Sequence, residues 1–226
     1  MSVPDLKNNS SAVRIAELFS SIQGESTYAG RPCFFIRLSG CPYRCSYCDT
    51  MFAQSFDYGR EYDISEVVKA AVESKLPLAE VTGGEPLAQK NCILLIDALL
   101  DAGLEVMLET NGGYDISGVS EKVKRILDCK LPSSGMADKN LYENYKYLTA
   151  HDEVKFVVGS REDYDFAFDI ARKYSLADKT PNLLISPVWG TVPFDKIVEW
   201  ILSDNAPFRF QLQMHKIIWG ADKQGV

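Results

Sequence analysis

No stretch of this 226-residue sequence approaches the roughly 18 to 20 consecutive apolar residues of a membrane-spanning helix, so no membrane association is expected. The opening residues, MSVPDLKNNSS, lack the apolar segment of a secretory signal, and the cytoplasm is the expected compartment. A basic excess is missing as well. Lys and Arg number 24 against 31 Asp and Glu, a formal charge of −7, which argues against direct nucleic-acid binding. Sequence repeats and low-complexity linkers are absent. With 46% hydrophobic and 24% charged residues, residues 1–226 are expected to form a single domain.

What the chain does have is cysteine in an uneven distribution: Cys33, Cys41, Cys45, Cys48, Cys92 and Cys129. A disulfide framework is not expected in a cytoplasmic chain of this size. Cys33 and Cys92 read as small core residues. Three of the six stand in GCPYRCSYCDT, Gly40 to Thr50. A structural zinc site wants four ligands. Here the nearest other thiol, Cys33, lies on the preceding strand, and both histidines, His151 and His215, are distant, so zinc would need a ligand brought from afar. Three unrelated core cysteines sit poorly beside Gly40, Pro42 and Arg44, which describe a turn-rich loop. A cubane iron–sulfur cluster usually takes four thiolates. With three, one iron keeps an open position for a small molecule, which accounts for the missing fourth ligand.

Strand-like and helix-like stretches alternate along the chain. Strands are expected at Arg14–Ile22, Cys33–Leu38, Leu78–Pro86, Leu104–Gly113, Val123–Pro132, Glu153–Val158, Asn182–Trp189 and Phe208–Lys216. Helices are expected at Ile64–Lys75, Asn91–Gly103, Arg161–Tyr174 and Pro193–Leu202, the first with Asp63 as N-cap and Glu66 three residues on. That alternation predicts an α/β fold with a mostly parallel sheet. In such sheets sites form at the C-terminal ends of strands, where the cysteine loop, TGGEP, ETNG, DCKLP and SPVW all fall.

Cys-x3-Cys-x-aromatic-Cys, with Tyr47 in the aromatic slot, resembles the signature of radical S-adenosylmethionine (SAM) enzymes, and TGGEP follows where that superfamily has its glycine-rich contact to SAM. FSSIQGES followed by AGRPCFFIRLSGC, together with CDT, ETNG and the late QMHK, resembles the 7-carboxy-7-deazaguanine synthase family from about residue 14 to 218. The resemblance implies an incomplete, shortened β/α barrel with an N-terminal strand extension at about residues 12–30 and a C-terminal tail at about 216–226. It implies conversion of 6-carboxytetrahydropterin to 7-carboxy-7-deazaguanine with loss of ammonia, in queuosine and deazapurine synthesis. A [4Fe–4S] cluster, SAM and Mg²⁺ would be the cofactors. The open iron would bind SAM, whose reductive cleavage would yield a radical that abstracts hydrogen from substrate. A flavodoxin or ferredoxin would supply electrons, and the chain would form a homodimer.

Residue by residue, the resemblance implies that Cys41, Cys45 and Cys48 hold the cluster and that Thr50 binds Mg²⁺. Tyr47, Cys48, Asp49 and Gly84 would contact SAM. So, by strand order, would Asp128, Cys129 and Lys130 and then Ser186, Pro187, Val188 and Trp189. Ile22, Gln23, Gly24, Glu25 and Thr82 would frame the pterin, and Arg37 would pair with its carboxylate. Glu109 and Asn111 are further candidates beside SAM. Arg37, a lone cation within FFIRLS, reads equally as half of a structural salt bridge. His215 reads as orienting the tail or the substrate, or as a hydrogen-bonded structural residue. The chain also runs on through IIWGADKQGV, beyond where some members of the family end. Two other classes stay open: an activase of glycyl-radical enzymes, which acts on a protein partner, and a non-catalytic iron–sulfur or zinc module.

Overall fold

The strand-like runs become one sheet, and their order decides where a site can lie. The computed structural model describes residues 11–226, so the expectation for the first ten lies outside the described residues. The strands are β1 (Ala12–Ile22), β2 (Pro32–Leu38), β3 (Arg60–Asp63), β4 (Leu78–Gly83), β5 (Glu105–Thr110), β6 (Lys124–Cys129), β7 (Glu153–Val158), β8 (Leu183–Pro187) and β9 (Arg209–Phe210). They lie side by side in the order β3-β1-β2-β4-β5-β6-β7-β8-β9. β1 pairs antiparallel with both β2 and β3, and every pairing from β2 through β9 is parallel. This is the expected α/β architecture, and the sheet is open at both edges.

The helices are α1 (Ile64–Glu73), α2 (Cys92–Asp101), α3 (Arg161–Lys173), α4 (Leu176–Lys179), α5 (Phe194–Ser203) and α6 (Met214–Trp219). α1 begins where the sequence says it should. The Asp63 amide donates to Glu66 Oε2 at 2.9 Å, half of a reciprocal capping box that satisfies amides the first turn leaves over. α3 begins at Ser160, whose hydroxyl accepts from the Asp163 amide, and carries Arg172 and Lys173 in its last turn, where the helix dipole favours cations.

Side chains on a strand alternate between faces, and here the faces have different fates. On β2, β4, β5, β6 and β7 one set joins the main core beneath the helices: Ile36, Val81, Leu108, Leu127 and Phe156 stand for it. The other set points inward. Its lower residues, Cys33, Phe35, Leu78, Met107 and Ile126, form a small apolar floor. The sheet thus wraps a space of its own, as an incomplete barrel must. It is shortened on one side, since β5 to β6 has no helix and β6 to β7 is crossed by short 3₁₀ turns.

One expected strand is largely something else. Phe208–Lys216 pairs only at Arg209 and Phe210, and QMHK begins α6 instead. The Met214 amide donates to Gly24 O at 2.8 Å and Gln213 Nε2 to Glu25 Oε1 at 2.8 Å. These bonds turn the chain off the sheet edge and across the barrel mouth. Arg60–Asp63 pairs with β1 as a strand that the apolar pattern had not indicated. Among the described residues no helix is long and apolar enough to cross a membrane.

Candidate active site

Directly above the apolar floor, the same inward positions turn polar. Arg37 on β2, Thr82 on β4, Glu109 on β5, Asp128 on β6 and Lys155 on β7 line a cavity of about 510 Å³. That volume suits small ligands, whose pockets run roughly 300–1,000 Å³. Buried polar groups there must find partners, because leaving one unpaired is costly. Lys155 Nζ lies 3.1 Å from Glu25 Oε2 and 3.8 Å from Asp128 Oδ2, and it hydrogen-bonds Glu109. Asp128 Oδ2 also accepts from Lys130 Nζ at 2.9 Å. Burial opposes charge on Asp128, but Lys130 and Lys155 outweigh it and hold the carboxyl below its usual range. For Glu80 the balance tips the other way. Burial, with Glu109 nearby, pushes its carboxyl well above the ordinary range. Gln23 Nε2 hydrogen-bonds that carboxyl, and Gln23 Oε1 accepts from the Glu25 amide at 2.9 Å.

The cysteine loop closes the cavity on one side, and glycine makes its docking possible. Gly40 has φ +93°, and a Cβ there would sit 2.2 Å from the Phe56 ring. At Gly84 a Cβ would meet Gly40 O at 2.4 Å, so the two loops approach within a distance only glycine permits. The Glu85 amide donates to Gly40 O at 2.8 Å and thereby holds them together. Arg44 Nη1 folds back on the carbonyls of Cys41 and Tyr43 at 2.6 and 2.7 Å. Ser46 ties the far side of the loop to the carbonyls of Ser133 and Ser134.

Cys41, Cys45 and Cys48 are free thiols, and all three line the cavity. Burial raises the thiols of Cys41 and Cys45, so metal binding there must displace protons. Among the described residues no three His, Cys, Asp or Glu gather as ligands of a single ion. A cubane asks something different, one thiolate for each of three separate irons, and three thiols on one short loop fit that demand. A second observation concerns SAM. Asn111 Nδ2 and Asp128 Oδ1, both on residues that line the cavity, are among the buried side-chain atoms without a hydrogen-bond partner among the described residues. Native interiors seldom leave such atoms unpaired, and the carboxylate and ammonium groups of SAM would pair them.

The structure brings most of the sequence-derived site residues together. Ile22, Gln23, Gly24, Glu25, Arg37, Tyr47, Asp49, Thr50, Thr82, Gly84, Val188 and Trp189 all line the cavity, and so do Glu109, Asn111 and His215. Cys129 does not. Strand alternation puts it in the main core between Asp128 and Lys130, which do face the cavity. Ser186 and Pro187, the last two residues of β8, are also outside the lining and buried, just before Val188 and Trp189, which do line it. Arg37 shows the ion-pair alternative realised: its Nε donates to Glu17 Oε2 at 3.0 Å while the side chain still lines the cavity. The Thr50 hydroxyl donates to Asp49 Oδ1 at 3.0 Å, and Asp49 Oδ2 pairs with Lys216 Nζ at 2.8 Å. The Asp49 side chain is half exposed, into the cavity. Burial by surrounding protein raises its pKa, but Lys216 more than reverses this and leaves it well below the usual range.

Sequence reasoning missed Lys155, Glu80, Glu85, Gln213 and Lys216. The signal for the first two was available. Glu80 is a lone charge within an apolar strand, as Arg37 is; Lys155 follows Glu153 in an otherwise apolar strand, and both Glu80 and Lys155 fall on the inward phase of the alternation.

Comparison with known proteins agrees with this geometry. The profile of the radical SAM superfamily matches residues 35–201. The chain is 37% identical over 229 residues to the 7-carboxy-7-deazaguanine synthase of Koribacter versatilis, covering 95% of this chain and 100% of the relative. The enzyme of the same name from Chlorobaculum tepidum is 39% identical, with 95% and 97% covered. Among solved structures, QueE from Escherichia coli shares the fold with a TM-score of 0.71 at 22% identity, over 88% of this chain and 94% of its own. SuiB from Streptococcus suis, solved with S-adenosylmethionine, aligns at 0.54 and 12% identity over 76% of this chain and 44% of its own.

Proposed function

Because this chain belongs to the 7-carboxy-7-deazaguanine synthase family of the radical SAM superfamily, we propose that its cavity converts 6-carboxytetrahydropterin to 7-carboxy-7-deazaguanine with loss of ammonia. The supporting observation is that three free thiols share one cavity with an inner wall of amide, carboxylate and guanidinium groups. Cys41, Cys45 and Cys48 would hold a [4Fe–4S] cluster. When bound, cluster and SAM supply the reducing electron and the hydrogen-abstracting radical.

The chain's own groups do the positioning. Gly84 and Asn111 would flank the methionine end of SAM, Asp128 and Lys130 would present charges of opposite sign to it, and Val188 and Trp189 would offer apolar surface. Toward the pterin, Gln23 and Glu25 provide an amide and a carboxylate that match its ring donors and acceptors. Glu17 holds Arg37 by Nε, which leaves the terminal nitrogens of the guanidinium as donors to the substrate carboxylate. Burial lowers the pKa of His215, and its ring packs against Gly24. The apolar floor below keeps water from that side.

Mg²⁺ belongs to this reading through Thr50, with remaining positions taken by water and substrate oxygens. A flavodoxin or ferredoxin as donor, a homodimeric state and a cytoplasmic location complete it. The test is an anaerobic assay of iron-reconstituted protein with reductant, SAM and 6-carboxytetrahydropterin, with and without Mg²⁺, read by mass spectrometry. The expected result is 7-carboxy-7-deazaguanine over many turnovers. Deoxyadenosine without that product would move the reading to another substrate, with the activase first.

A further inference from the structure

The cavity's two walls are joined by one cation. Lys155 rises from the middle of β7, with its side chain only 7% exposed, and reaches both Glu25 and Glu109. Glu25 comes from the loop after β1, on the pterin side, and its second oxygen accepts from Gln213 at 2.8 Å. Glu109, next to last in β5 and the candidate beside SAM, has a second oxygen that accepts from the Thr82 hydroxyl at 3.5 Å. The cross-strand neighbour of Lys155 is Asp128, at 3.8 Å and already paired with Lys130. An ammonium has three N–H donors and no acceptor, and three carboxylates surround this one.

The arrangement has a mechanical consequence. Glu25 and Glu109 belong to segments far apart in sequence, and the shared lysine holds their carboxylates together. Two partly buried carboxylates without it would repel, and each would turn toward water or whatever donor lay nearest. A shift at one wall is therefore felt at the other. Resting on the function proposed above, we propose that Lys155 is a positioning residue that couples the two halves of the site: it makes pterin binding and SAM binding mutually favourable and keeps substrate and cofactor in register.

The test uses the iron-reconstituted protein without reductant, so that nothing turns over. Calorimetry gives the affinity for 6-carboxytetrahydropterin with and without SAM in the wild type, Lys155→Met and Lys155→Arg. In the wild type SAM should tighten pterin binding about ten-fold, within the usual range of site-to-site coupling. Lys155→Met should bring that factor close to one, and Lys155→Arg, which keeps the charge, should recover most of it. A factor unchanged in Lys155→Met would overturn the proposal even if both affinities fell, because a merely structural lysine weakens the sites without uncoupling them. So would a wild type with no coupling. If Lys155→Met fails to fold, Glu25→Gln and Glu109→Gln take its place: each should lower the coupling, and an unchanged factor in both overturns the proposal. With reductant added, the ratio of released deoxyadenosine to product should rise at least ten-fold in Lys155→Met. Wild-type protein that binds the pterin with coupling but forms no carboxydeazaguanine would sink the function and leave the coupling standing; product with an unchanged ratio and an unchanged coupling factor would sink the coupling alone.

Discussion

Gly24 is set by a neighbouring ring: a Cβ there would lie 2.3 Å from His215 Nδ1. Gly24→Ala should push the imidazole out of place and lower kcat/KM for the pterin at least ten-fold with iron content unchanged, which steady-state kinetics and iron analysis would check. Glu85 presents the opposite situation, an ionisable group held in the core. Its carboxyl is fully buried and accepts from Thr110 Oγ1 at 2.8 Å and from the amides of Asn111 and Leu87 at 2.7 and 3.0 Å. Burial nevertheless raises its pKa from 4.5 to about 7. Between those values the folded chain holds a proton that the unfolded chain has released. Stability should therefore fall as pH rises through that window and level off above it, by roughly 3 kcal/mol in all. Urea midpoints across the window should show the slope in the wild type and a flatter line in Glu85→Gln. The Glu85 environment was invisible in sequence, because burial of a carboxylate is a property of the loops that cover it. The cysteines, by contrast, were legible individually, since their spacing on one short loop is itself the geometry.

At the scale of elements, α1 was readable to its first residue because a capping box is a local motif. Glu66→Ala should cost about 1 kcal/mol and lower Tm by roughly 2–4 °C, measured by calorimetry. α6 was not readable. Its bonds run to Gly24 and Asp49, distant in sequence, and the FRFQLQMHK pattern alone favours a strand. Those bonds make α6 a latch across the barrel mouth, with residues 221–226 lining the cavity beyond it. The Lys216–Asp49 pair joins a buried ammonium to a half-exposed carboxylate, so its contribution is discounted to about 1 kcal/mol. Lys216→Met should accordingly raise the pterin KM about five-fold and leave iron content alone; an unchanged KM would show that α6 stays put without the pair.

At the scale of the molecule, the sheet side without a covering helix between β5 and β6 is stapled by a buried ion pair. Arg125, 1% exposed, donates to Asp152, 0% exposed, through Nε at 2.9 Å and Nη2 at 2.6 Å. Nη2 also reaches the Tyr147 carbonyl at 2.8 Å, and the Thr149 amide donates to Asp152 Oδ2 at 2.7 Å. The pair thus orders the long crossing between β6 and β7. Asp152→Ala strands a buried cation and should destabilise by about 3–5 kcal/mol in chemical denaturation. Activity per folded molecule should hold, since neither residue lines the cavity.

By itself the sequence determined the strand and helix alternation, the parallel sheet, the three-thiol loop and the strand ends that supply the cavity. All of these follow from local periodicity or local spacing, which neighbours in sequence can encode. Only the tertiary structure decided which phase of each strand faces inward. That choice puts Cys129 in the core and Asp128 in the cavity, and it makes Lys155 the link between two walls. It depends on how β5, β6 and β7 are set beside one another, and on a first loop and a last helix that meet only after the sheet has curved. A lone charge in an apolar strand announces that it needs a partner; which partner is a matter of register between segments, and register is settled by packing.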